Sequence, residues 1–284
     1  MSFLDRISDC NGYDLNCFLP FFVDGDRFGF IHQEVADQLM SFPAIFECQQ
    51  NAVYLHPDLL GYEERTSAMA AVVEVLADRG FIKSWYHEAY PVTRHFKGSA
   101  CFEIERAAAP FFGIRAFGVH INGYFEKDGE LMMWVARRAR DKPGFPGMLD
   151  HLAAGGQPVG LGLLENVIKE CGEEADVPEK LAASAVPKGQ ISYCKEYNKR
   201  LRSDTMFIFD LQLPEDFVPQ NTDGEVESFE LWPIRKVLET VEHTRKYKPN
   251  CNLVIIDFLI RHGILPASHP DFSIIKSGLN TRLP

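Results

Sequence analysis

Between Tyr62 and Asp78 the apolar residues Met69, Val72, Val73 and Leu76 recur every three or four positions, and Gly80 follows as a stop. That spacing predicts an amphipathic helix over 62–78. A shorter helical pattern runs from Gln33 to Phe42, where Pro43 ends it. Ahead of it, Val23-Asp24-Gly25-Asp26 leads into Phe28-Gly29-Phe30-Ile31, the pattern of a hairpin. Phe81 to Val92 reads as extended and aromatic. Its Trp85, Tyr86 and Tyr90 could stack on a flat heterocycle, but core or interface packing is the expected role.

The run Ala107-Ala108-Ala109-Pro110-Phe111-Phe112-Gly113 breaks this pattern, and a domain boundary is expected there. Residues 1–113 then form a smaller α+β domain and residues 114–284 a second one. In the second, strands are predicted over Phe117–Phe125 and Leu131–Arg138, joined by a turn at Lys127-Asp128-Gly129. A loop rich in Gly and Pro (Lys142–Gly147) follows, then a strand-like Met148–Ala154 and a glycine loop from Gly155 to Gly162. Leu163–Glu174 reads as a helix. Further strands are expected at Gln190–Tyr197, Thr205–Leu213 and Glu225–Trp232, and closing helices at Ile234–His243 and Cys251–His262. The last carries Asp257 and Arg261 as an i,i+4 ion pair.

Composition changes this picture little, but charge changes it more. The 284 residues are 46% hydrophobic and 24% charged, as in an ordinary globular protein, and the formal net charge is −11. Such a balance disfavours nucleic acid as a partner, because phosphate backbones are bound by Lys and Arg. A phosphorylated small molecule would need local cations or a metal. No apolar stretch is long enough to span a bilayer, and the first residues lack a signal-peptide pattern, so a cytoplasmic protein is expected. The seven cysteines are scattered without a C-x-x-C pair and read as reduced core residues.

The candidate chemistry lies on the helix after the glycine loop. Glu170, Glu173 and Glu174 stand at i, i+3 and i+4 and share one face. On a bare helix such pairs repel by a few tenths of a kcal/mol each, whereas a hard divalent cation would turn the repulsion into coordination. Leu164, Val167, Ile168 and Cys171 are expected to dock the opposite face. A solvated acidic face is the bland reading of three glutamates alone; the glycine loop and flanking strands favour the metal. Glu225 and Glu227, alternating on a strand, could add a ligand or a base, though a solvated face is expected. His120 and His151 are expected to be structural rather than metal ligands.

The segment from Gly155 to Val177 resembles the Nudix box, G-x5-E-x7-R-E-U-x-E-E-x-G-U, where U is aliphatic. Gly155 matches its first glycine, and Glu170, Glu173 and Glu174 match its acidic core. Val177 matches the last aliphatic position, and Cys171 stands at the other. Leu161, Lys169 and Asp176 replace a glutamate, an arginine and a glycine. Glu165, four residues before Lys169, is expected to replace the lost ion pair on the helix itself, and Asp176 to tolerate a left-handed conformation.

The likeness extends to Gly118–Gly123, Met133–Arg138, Lys142, Pro146–Asp150, Lys188–Tyr193, Asp223–Glu227 and Asn252–Gly263. Together these segments are similar to the Nudix portion found with thiamine pyrophosphokinase, including its extra N-terminal domain. The resemblance implies an α/β/α sandwich of the Nudix fold, with a mixed sheet between helices. It also implies hydrolysis of a thiamine diphosphate-like compound, oxidised or damaged, to the monophosphate. The expected cofactor is Mg2+, with Mn2+ as a substitute. Gly155, Glu170, Glu173 and Glu174 would hold it, Glu170 would serve as base and Lys169 would orient the carboxylates. Arg138 and Lys142 are similar in spacing to diphosphate contacts of isopentenyl diphosphate isomerase. That enzyme's Cys-Gly-His, however, is replaced here by Ala154-Gly155-Gly156. Other readings are a Nudix enzyme acting on a nucleoside diphosphate derivative and a non-catalytic cofactor-binding module. The N-terminal domain could serve as a substrate lid or as the platform of a homodimer.

Overall fold

The computed structural model describes residues 1–284. Its first part runs α1 (Phe3–Cys10), β1 (Phe18–Val23), β2 (Asp26–His32), α2 (Gln33–Leu39), β3 (Phe46–Gln49), β4 (Ala52–Leu55), α3 (Tyr62–Asp78), β5 (Ala89–Pro91), β6 (Glu103–Glu105) and α4 (Ala109–Phe112). A four-stranded sheet of order β2-β1-β4-β3 forms its centre. Asp24 and Gly25 both take positive φ, 51° and 81°, so a two-residue turn compatible with strand twist closes the expected hairpin. Helix α3 has the expected bounds, and Met69, Val72, Val73 and Leu76 pack with Phe21, Ile31 and Val53 of the sheet.

The aromatic segment 81–92 is extended only in part. Ala89–Pro91 pairs with β6, and the residues before it run without regular pairing. Tyr90 is in the core, whereas Trp85 and Tyr86 are each 39% exposed. At the end of this part the chain packs backbone against backbone: a Cβ on Gly29 would lie 2.2 Å from the Phe112 carbonyl oxygen. The 106–113 segment is therefore seated on β2 and is no free linker.

The second part contains β7 (Arg115–Lys127), β8 (Glu130–Arg138), β9 (Leu149–Asp150), β10 (Ala153–Gly156), α5 (Leu163–Ala175), α6 (Glu179–Ala182), β11 (Val186–Tyr197), β12 (Arg200–Gln212), β13 (Val226–Pro233), α7 (Ile234–His243), α8 (Pro249–Arg261) and α9 (Phe272–Gly278). Its sheet has the order β11-β12-β7-β8-β13, with β10 joined to β7 and β9 to β8. Strands β12 and β7 are parallel and the other pairs antiparallel, so the sheet is mixed. Side chains alternate across it. Met206 and Ile208 of β12 pack with α7 and α8, while Phe209 and Leu211 pack with α5. The result is the expected α/β/α sandwich. No helix is long and apolar enough to cross a membrane, and all seven cysteines are free.

Helix α1 departs from chain order. Its Phe3 and Cys10 join the cluster built by α7, α8 and α9, and the wholly buried Arg6 donates to the Thr244 carbonyl. The Ser2 hydroxyl and the Asp5 carboxylate form a capping box that starts it.

Candidate active site

Helix α5 begins at Gly162, a cap residue with no side chain to offer. Glu165 fills the gap, accepting the Gly162 N–H at 2.7 Å. The first-turn N–H groups of a helix have no internal partner, so this bond prevails over a pair with Lys169. The expected Glu165–Lys169 support is thus absent. Lys169 Nζ donates instead to Glu170 Oε1 at 3.0 Å and to Glu173 Oε2 at 2.7 Å, tying two carboxylates of the acidic face together.

The buried side of α5 also differs from expectation. Leu164 is 44% exposed, and Asn166 points inward in its place. Asn166 Nδ2 donates to the Gly156 carbonyl at 2.7 Å and to Gln157 Oε1 at 3.1 Å, fastening the helix to the preceding loop. At the other end Asp176 caps the helix at φ 52°, ψ 35°, the left-handed conformation anticipated for it. A Cβ on Gly172 would meet nothing within 4 Å. Gly172→Ala should therefore raise stability by about 1 kcal/mol through helix propensity. Thermal unfolding checks this, and a loss of stability would show a hidden constraint.

Glu170 and Glu174 are buried against β10, and Glu173 lies at the rim. Gly155, expected in a loop, instead sits in β10 opposite Val119 of β7. A Cβ there would stand 2.0 Å from Cδ of Glu170. The carboxylate therefore occupies the space that a side chain at 155 would fill. Glu174 Oε2 accepts the Ala154 N–H at 2.9 Å. Burial raises the pKa of Glu170, and it lifts Glu174 to about 8 with help from the nearby Asp150 and Glu170 charges. Buried, mutually repelling carboxylates in a glycine-lined cradle are a donor set suited to a hard divalent cation, so these residues fit magnesium or manganese.

A cavity of about 240 Å3 opens beside this cradle, between the two parts of the chain. Tyr86, Glu88 and Arg106 of the first part line it. Arg106 Nη1 donates to Glu88 Oε2 at 2.8 Å, and the guanidinium lies 4.6 Å from the Tyr86 ring centre. Tyr90 does not reach out as a stacking platform; its hydroxyl rests on Gly156, 1.7 Å from where a Cβ would be. The basic lining residues Arg106, Arg138, Lys142, Lys169, Arg202 and Lys248 face an equal set of acids, Glu88, Glu170, Glu173, Asp204, Asp223 and Glu225. A diphosphate entering this balanced lining would bring uncompensated charge, which a divalent cation would offset.

Lys142 is ion-paired with Glu225, and burial lowers its pKa to about 8. Arg138 has its donors engaged: Nε and Nη2 on the Gly144 carbonyl at 3.2 and 3.0 Å, and Nη1 on Asp150 at 2.8 Å. It lines the cavity and braces the Lys142–Gly147 loop. Glu225 and Glu227 do not alternate along one strand face. Glu225 precedes β13, and Glu227 sits at a bulge in the β8–β13 pairing, 3.2 Å from Arg140 Nε. A bulge adds a residue and breaks the period of two.

Asp150 and Lys248 escaped the sequence reading. Asp150 is buried and accepts from Arg138, the His151 N–H and the Cys251 thiol, and Lys248 Nζ lies 3.4 Å away. Lys248 and its cationic neighbours hold the Asp150 carboxyl well below the usual range despite burial. The Pro-Gly-Met-Leu-Asp150 run marked the position, but only folding brings Lys248 to it.

A family model described as a domain of unknown function (DUF4743) matches residues 2–116. Nudix hydrolase 20, chloroplastic, of Arabidopsis thaliana is 43% identical over 274 residues, covering 93% of this chain and 73% of its own length. Nudix hydrolase 24, chloroplastic, of the same plant is 42% identical, covering 95% and 75%. The MutT protein of Methanosarcina mazei Go1, a solved structure, aligns with a TM-score of 0.38 and 18% identity over 51% of this chain and 92% of its own. The fold is an α/β/α sandwich with its acidic residues on one helix. The chain belongs to the Nudix hydrolase family.

Proposed function

We propose that the chain hydrolyses a small organic diphosphate to its monophosphate, with Mg2+ as the working ion and Mn2+ as a substitute. The observation that carries this reading is the seating of the Glu170 carboxylate in the space left by the missing Cβ of Gly155, beside buried Glu174. Family membership supports the reaction class. A divalent cation held by Glu170, Glu173, Glu174 and the Gly155 carbonyl would supply charge neutralisation and a more acidic water. Glu170 accepts the proton of the attacking water as its oxygen bonds to phosphorus. The bridging P–O bond breaks, and its electron pair leaves with the departing group. Lys169 holds Glu170 and Glu173 in register. Lys142 is placed to meet the diphosphate, with Arg138 bracing its loop.

The substrate we infer is thiamine diphosphate-like, in oxidised or damaged form. The motifs shared with the thiamine pyrophosphokinase-associated group support this, and so does a lining that offers Tyr86, Phe117 and Phe145 to a heterocycle. The test is magnesium-dependent product formation, resolved by chromatography as phosphate or as monophosphate esters, across thiamine diphosphate, its oxidised forms and nucleotide sugars. Preference for the oxidised thiamine compounds is the expected result. Preference for nucleotide derivatives would overturn the substrate and leave the reaction class. Tight binding without product formation from any compound would overturn the reaction.

A further inference from the structure

Next to the cradle, where His120 lines the same cavity, lies a second cluster that the hydrolytic reading does not use. His120 comes from the middle of β7, His151 from the turn between β9 and β10, and Cys251 from the first turn of α8. All three are buried, and one potential ligand atom from each lies within 4.8 Å of the others. The two rings meet edge to face with centres 5.1 Å apart. His120 Nδ1 and both ring nitrogens of His151 have no hydrogen-bond partner. Buried polar atoms are nearly always satisfied, and a cluster of bare imidazole nitrogens calls for a missing partner. The rings are also neutral, because burial depresses the pKa of both.

We propose that His120, His151 and Cys251 form a second metal site, with no ligand in common with the α5 carboxylates and suited to a borderline-soft divalent cation such as zinc. Imidazole and thiolate donors match that ion, whereas magnesium takes oxygen donors and retained water. The fourth position falls to a water or to Asp150, whose Oδ1 lies 2.7 Å from Cys251 Sγ. In the metal-free state the thiol donates its proton to that carboxylate oxygen. On metal binding the S–H bond breaks, the sulfur keeps the electron pair for the metal, and the proton passes to solvent. Arg138 Nη1 and Lys248 Nζ remain on the other oxygen of Asp150, at 2.8 and 3.4 Å, and keep it ionised beside the new thiolate.

The site would act as a staple. It joins β7, the β9–β10 turn and α8, three segments far apart in sequence. His120 stands opposite Ala154 in the β7–β10 pairing, and Ala154 is the residue whose N–H holds Glu174. Metal at the histidine pair therefore fixes the strand that carries Gly155. The proposal keeps the structural role expected of the two histidines and adds a bound ion to it.

The experiment uses the full chain without a histidine tag, stripped with chelator and then supplied with magnesium. Cobalt is titrated as an optical stand-in for zinc. Stoichiometric uptake with a thiolate-to-cobalt charge-transfer band is expected, along with a raised melting temperature that excess magnesium does not abolish. The band should vanish in Cys251→Ser, whose hydroxyl can still donate to Asp150, and should persist in Glu174→Gln. His120→Gln should weaken uptake, with circular dichroism reporting whether each variant is folded. A folded wild type that shows no band and takes up no zinc or cobalt would overturn the proposal; a buried water would then satisfy the rings. A band that survives in Cys251→Ser would overturn it too, and neither result would touch the hydrolase reading.

Discussion

Glu173→Gln and Glu174→Gln proteins are expected to fold normally and to lose at least about 10²–10³-fold in kcat, the scale of removing one preorganised electrostatic group. Glutamine keeps the shape and can still accept the Ala154 N–H that Glu174 now accepts at 2.9 Å. What it loses is the charge available to a divalent cation. Steady-state phosphate release checks the first claim, and near-normal rates in both variants would remove the carboxylate helix from the chemistry.

The metal-free proteins should separate further by pH. Burial raises Glu174 from 4.5 to about 8 in the folded chain, so folding favours its protonated form. Its stabilising contribution is complete below pH 4.5 and is lost as the pH rises through 8. Thermal unfolding in chelator should thus show the wild type weakening across that window. Glu174→Gln should show a flatter profile.

Gly155→Ala should injure both activity and stability. The new carbon would lie 2.0 Å from Glu170 Cδ and 2.2 and 2.4 Å from its two oxygens, so the carboxylate or β10 must move. Overpacking of this kind costs about 1–3 kcal/mol, and a shift on the order of 1 Å at a reacting group costs about 10²-fold in rate. The same substitution at Gly172, on the open side of α5, is expected to stabilise. The pair separates the two causes, since the loss of glycine's backbone freedom predicts gain or indifference at both sites and only the cradle predicts injury at 155. Kinetics and melting temperature measured side by side decide it. An active, stable Gly155→Ala protein would refute the seating of Glu170.

The sequence made local periodicity legible and left side-chain choices open. Helix α3 was readable to its ends because Met69, Val72, Val73 and Leu76 share one stripe and Gly80 stops it. The acidic face of α5 was readable for the same reason. Its support was not, because Glu165 had two partners within reach. An unpaired backbone donor at Gly162 outcompetes an exposed lysine. Leu164 looked like a docking residue by type, yet helical rotation turned Asn166 inward, where its Nδ2 finds two acceptors. The bulge at Glu227 shifted the strand period by one residue, which no alternation of residue types announces. The His120, His151 and Cys251 cluster and the Asp150–Lys248 contact depend on tertiary closure alone, so no local spacing encodes them.

Helix α1 has a consequence for how the protein is made and handled. The helix and its seat are far apart in the chain, Arg6 and Thr244 being separated by 238 positions. During synthesis Phe3 and Cys10 must wait on the ribosome's surface until α7, α8 and α9 have emerged. Cutting away residues 1–113 to isolate the catalytic half would therefore leave a bare apolar trench along α8, an invitation to aggregation rather than a minimal enzyme.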